Sequence, residues 1–129
     1  FDSGVPLVEI PCIYVAEQLL TSIPELDSLF DGVNPICDFL HERTVSYMKE
    51  RGCASKVIWD ISAIAYLAEP AAFQTEIVRA LRLNKNGSWA MQDNARHWMR
   101  VVKHLDRDLI FKSLSSRLRA WQPCAACIA

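Results

Sequence analysis

The apolar positions of this chain change period several times, and each change marks an element. Residues 5–12 carry Val5, Leu7, Val8 and Ile10 almost without alternation, as expected of a strand in a parallel sheet covered on both faces, with Pro11 near its end. Glu9 interrupts the run and reads either as a rim carboxylate or as a buried ligand. A short helix is expected from Val15 to Leu20. Ser22 with Glu25 then has the spacing of a capping box before Leu26, Leu29 and Phe30. After Asp31-Gly32, Asn34 is suited to cap a helix with Pro35 in its first turn. Ile36, Leu40, Tyr47 and Met48 recur at helical spacing until Gly52.

The second half repeats the alternation of strand and helix. Val57, Ile58 and Trp59 form a brief extended approach to Asp60. Ile61, Ile64, Ala65 and Ala68 then follow at helical spacing as far as Glu69-Pro70. Ala63 and Leu67 widen the apolar surface, which predicts a helix packed around most of its circumference. An apolar–polar segment through Phe73, Ile77, Ala80 and Leu83 leads to Asn86-Gly87, a tight hairpin signal, with Trp89 and Met91 on the return. Trp98 to Leu105 reads as a further strand. Asp106 is placed to cap a last helix bearing Leu109, Ile110, Leu114, Leu118 and Trp121, before Pro123. This order is an α/β pattern with few strands, so much of the sheet is expected to come from chain not present here. Residues 1–122 read as one partial domain and residues 123–129 as a divergent cysteine-containing tail.

Composition agrees with packed structure: of 129 residues, 51% are apolar and 22% charged, with a formal charge of −1. Such a balance exerts no general pull on phosphate backbones or anionic lipids. No apolar run is long enough for a membrane-spanning helix. Arg96, Arg100, Lys103 and His104 make a local basic stretch that reads as a solvated strand face, not a nucleic-acid site. The opening Phe1-Asp2-Ser3-Gly4 resembles neither a signal peptide nor a natural start, which leaves the compartment open. Cys12, Cys37 and Cys53 lie in regular apolar surroundings and are expected to be reduced, favouring a cytoplasmic setting. Cys124 and Cys127 form a single CxxC, a weak signal for zinc or redox work.

The chain has no phosphate loop, dinucleotide glycine fingerprint, serine elbow or metal-binding histidine pair. His41, His97 and His104 are scattered, and Asp106 and Asp108 belong to a helix start. Asp60 is the conspicuous carboxylate, at the head of an almost wholly apolar run, and helix capping alone would account for it.

A second account of Asp60 comes from the order of three stretches: residues 3–11, residues 55–70 and residues 96–118. Together they resemble the C-terminal half of the inosine-uridine-preferring nucleoside hydrolase family, most specifically through Val57-Ile58-Trp59-Asp60-Ile61-Ser62-Ala63-Ile64-Ala65-Tyr66-Leu67. The resemblance implies an open-sheet α/β fold and calcium-dependent cleavage of nucleosides to ribose and free base. It places Asp60 among the calcium ligands and Trp59 against the nucleobase. Many relatives carry a histidine at the position of Trp59 that assists the departing base; indole cannot donate that proton at neutral pH, although it can stack. Most of the family's other calcium aspartates come from an N-terminal motif absent from this sequence, and its catalytic base and much of its ribose-binding equipment also lie in the part not present here. The implied partners are therefore a nucleoside and either the missing N-terminal half or further copies of the chain. A non-catalytic interaction or oligomerisation domain is the competing expectation.

Overall fold

The computed structural model describes residues 1–90 and 96–122. Two small sheets and four helices make up this part of the chain. In the larger sheet, β1 (Val8–Glu9) runs parallel to β5 (Trp98–Leu105), which pairs antiparallel with β4 (Phe73–Arg79), giving the order β1-β5-β4. A second sheet joins β2 (Leu20–Ser22) antiparallel to β3 (Ser55–Val57). The helices are α1 (Ile23–Phe30), α2 (Pro35–Glu50), α3 (Ile61–Ala68) and α4 (Arg107–Arg119).

Local signals account well for the helices. Asn34 caps α2 by accepting the backbone N–H of Cys37 at 3.0 Å, while its amide nitrogen donates to the Leu118 carbonyl of α4 at 2.9 Å. Pro35 occupies the first turn, and Gly52 takes φ +63 just beyond the last one. Asp106 caps α4 by accepting from the Leu109 N–H at 2.9 Å. Asn34→Ala removes a cap and an inter-helix bond together. It is expected to lower stability by about 1–2 kcal/mol, measured by urea unfolding, whereas Asn34→Asp should recover the cap but not the bond to Leu118.

Helix α4 connects two apolar clusters. Ile110 and Phe111 pack with Leu19, Phe73, Val102 and Leu105 between the sheets. Leu114 and Leu118 pack against Leu26, Phe30, Cys37, Val45 and Met48 of α1 and α2. At its N-terminus, Arg107 donates to the Leu20 carbonyl through two nitrogens, at 2.7 and 2.9 Å, and pairs with Glu25 of α1. Its guanidinium also lies 4.3 Å from the centre of the Phe111 ring. This one side chain therefore ties α4 to β2 and α1.

Several sequence expectations are corrected. The strand expected over residues 5–12 is two residues long and is not covered on both faces: Val5 is 63% exposed and Val8 is 40% exposed. Pro6 and Pro11 lack ladder donors, and among the described residues only β5 pairs with β1. The helix expected from Val15 to Leu20 is a 3₁₀ turn at Ala16–Gln18 followed by β2, which pairs with a distant segment. Ser22 occupies the cap position without a side-chain cap bond. The carboxylate of Glu25 is instead shared with Thr21 and Arg107, so the expected capping box is not formed by the Ser22 side chain. Cys37 is buried, but Cys12 and Cys53 are exposed; all three are free. The extended approach to Asp60 lies two residues earlier than expected, at β3.

The hairpin turn appears as an antiparallel bridge between Leu83 and Trp89, with Gly87 at φ +84. Met91 and the tail of residues 123–129, including Cys124 and Cys127, lie outside the described residues. Of the basic stretch, Arg100, Lys103 and His104 are exposed on β5, whereas Arg96 lies before the strand, is half-buried and pairs with Asp2. A register shift beside Gln74 leaves Lys103 without a strand partner, and its ammonium lies 3.6 Å from Glu76. No helix among the described residues is long and apolar enough to cross a membrane.

Candidate functional site

Trp59 and Asp60 follow β3 after Ile58 and introduce α3. The Trp59 carbonyl accepts the Ser62 N–H at 3.1 Å, which turns the chain into the helix and buries Ser62 beneath it. Both Trp59 and Asp60 remain exposed, Trp59 by 39%. They face an open depression of about 480 Å³ completed by Val8, Ile10, Cys12, Ala16, Ser62 and Ala63. The depression thus lies where the end of β1 meets the start of α3.

Asp60 does occupy the N-cap position, but its side chain makes no cap hydrogen bond and its backbone is helical, at φ −68 and ψ −25. Capping by the carboxylate, sufficient on sequence grounds, is therefore not what this side chain does. Its oxygens are left available at the rim of the depression. The contrast with Asn34 and Asp106, whose side chains do accept cap bonds, is internal to the same molecule.

The metal expectation meets a clear test of fit. Calcium takes about six to eight oxygen ligands. Among the described residues no group of three or more His, Cys, Asp or Glu side chains is arranged to hold a metal ion. Asp60 supplies one carboxylate, so the described residues do not by themselves fit calcium.

Apart from Cys12, no other titratable side chain among the described residues lines the depression. His41 bonds Asp27 at 2.6 Å across α1 and α2. Burial pushes the carboxyl of Glu25 upward, but hydrogen bonds from Arg107 and Thr21 and the nearby guanidinium outweigh it, leaving its pKa below the ordinary value. The bond to Glu25 in turn raises the pKa of Arg107 against the opposing effect of burial. This pairing holds elements together and has no place in the rim chemistry.

Sequence reasoning named Trp59 and Asp60, which the fold does bring to one rim. It did not identify the Val8, Ile10, Cys12 and Ala16 wall. Continuous apolarity around residues 5–12 was read as strand burial, and nothing in that pattern distinguishes a buried strand from an apolar wall.

No family model matches the chain, and no curated protein matches it. Among solved structures, a plant nucleoside hydrolase, the PpNRh1 enzyme, is similar with a TM-score of 0.72 over 92% of this chain, at 16% sequence identity. The chain spans 42% of that enzyme's length. This likeness shows the fold: a mixed α/β unit with an open sheet, similar to part of a nucleoside hydrolase.

Proposed function

We propose that this chain is a partial nucleoside N-ribohydrolase unit that contributes Trp59 to base binding and Asp60 to a calcium site. The other ligands and the catalytic base of that site come from outside the described residues. The observation that carries this reading is the Asp60 carboxylate, unused by its own helix and beside an exposed indole on a depression, in a fold similar to part of a plant nucleoside hydrolase. Hydrolysis of the N-glycosidic bond belongs to the completed assembly, and the chain alone is expected to leave inosine and uridine intact.

Stacking on an aromatic ring contributes about 1–3 kcal/mol per base, so nucleoside binding to the chain alone should be weak. Calorimetric titration with inosine and uridine, with and without calcium, tests the assignments separately. Trp59→Ala is expected to weaken binding about tenfold, whereas Asp60→Asn should leave it unchanged without calcium and remove any tightening that calcium brings. Binding indifferent to Trp59→Ala sinks the base-contact role. Calcium-dependent tightening that survives Asp60→Asn sinks the metal role.

A non-catalytic interaction domain is the second reading, favoured by the exposed apolar surface of α3. Specific self-association without any nucleoside response would select it.

A further inference from the structure

Thr21, Ser62 and Ser115 are the buried polar side chains among the described residues. Two of these hydroxyls are used within the chain. Thr21 donates to the Glu25 carboxylate at 2.7 Å, and Ser115 donates to the Lys112 carbonyl at 3.2 Å. Ser62 differs from both. It is 7% exposed and its backbone N–H is taken by the Trp59 carbonyl, but among the described residues its hydroxyl has no hydrogen-bond partner. A hydroxyl withdrawn from water and left unpaired is unfavourable.

Ser62 stands in the first turn of α3, so the carbonyl four residues earlier, at Ile58, precedes the helix and offers it no back-bond of the usual kind. Among the described residues, no buried side-chain oxygen or nitrogen is both unpaired and sealed from the surface. The Ser62 oxygen is therefore within reach from outside, and the opening that Ser62 lines is the depression shared with Trp59 and Asp60.

The walls of that depression favour one kind of ligand. Val8, Ile10, Ala16 and Ala63 are apolar, Trp59 offers an indole, and Asp60 stands at the rim. A sugar carries more hydroxyls than these walls can match. A heteroaromatic base has apolar faces and a polar edge, which suits a stacking surface with one hydroxyl beside it. Because a serine hydroxyl both donates and accepts, it can pair with a ring carbonyl, a ring N–H or a ring nitrogen.

We propose that Ser62 is a base-recognition residue, whose hydroxyl bonds the polar edge of a nucleobase stacked on Trp59. This rests on the nucleoside reading above and adds to it a second contact with the base, one that requires neither ribose nor calcium.

Calorimetry with hypoxanthine and with inosine on the full chain tests it. Ser62→Ala should weaken both ligands by the same factor, about tenfold. Its Tm should equal or exceed that of the parent, because alanine favours the helix and leaves no hydroxyl to satisfy. A loss confined to inosine moves the contact to the ribose and overturns the assignment. A Tm several degrees below the parent means that the hydroxyl is bonded within the chain, and overturns it as well.

Cys12 separates this inference from the reading beneath it. Its thiol lines the same depression, whereas Cys53 is exposed beyond α2. Bound hypoxanthine should slow alkylation of Cys12 by iodoacetamide and leave Cys53 unaffected, as read by peptide mass spectrometry. Protection of Cys12 and an affinity that both survive Ser62→Ala unchanged overturn the role of Ser62 while leaving that of Trp59 intact. Neither binding nor protection in the parent overturns both.

Discussion

Phe111→Ala is expected to destabilise the chain by about 3–5 kcal/mol, within the range for removing a buried aromatic side chain. The ring is 3% exposed and belongs to the cluster of Leu19, Phe73, Val102 and Leu105 between the two sheets. Its loss leaves a cavity that these neighbours fill only in part. It also removes the face over which the Arg107 guanidinium lies, so the tie from α4 to β2 and α1 is loosened as well. Thermal unfolding by circular dichroism should show a fall in Tm of about 10 °C or more. Phe111→Leu should recover much of the loss. A Tm within a degree or two of the parent for Phe111→Ala would mean that the sheets do not depend on α4 for their packing.

The second large effect should come from Arg107→Met, with a cost of about 1–3 kcal/mol at neutral pH. The substitution keeps an apolar stem beside Phe111 but withdraws the donors from the Leu20 carbonyl and the partner from Glu25. Its pH dependence distinguishes electrostatics from packing. In the folded chain the pKa of Glu25 lies below its ordinary value. The pair's contribution is therefore fully present above the unfolded-state pKa, about 4.3, and is lost as pH falls through the lower folded value. Without Arg107, burial acts on Glu25 with less opposition and its pKa is no longer held down, so the variant should lose less stability on acidification and the gap between the two proteins should narrow as pH falls below about 4.3. Urea midpoints measured from neutral pH to about pH 3 read this directly. Parallel curves for the two proteins would assign the loss at Arg107 to packing and to the Leu20 bonds alone.

Both effects depend on α4, whose position also affects the proposed functions. It covers the core on which α3 rests, and with α3 it frames a groove bearing Ile64 and Arg117. A residue acting only at the depression, such as Trp59, should change nucleoside binding alone.

The local sequence by itself determined the longer helices and strand β5. Asn34 with Pro35 starts α2, Asp106 starts α4, and apolar periodicity continues through each helix, because capping and helical spacing depend on residues within a few positions of one another. It also placed Trp59 and Asp60 together, since they are neighbours in the chain. Tertiary structure decided what was done with these parts. The three residues of β2 carry no usable period and become a strand only by pairing with β3; β1 is short where Pro6 and Pro11 lack ladder donors and, among the described residues, only β5 pairs with it. Asp60 could be distinguished from a capping residue only by where its carboxylate lies, and α3 could be recognised as partly uncovered only by which neighbours reach it. Periodicity records how apolar a helix face is, whereas burial depends on whether another surface arrives to meet it.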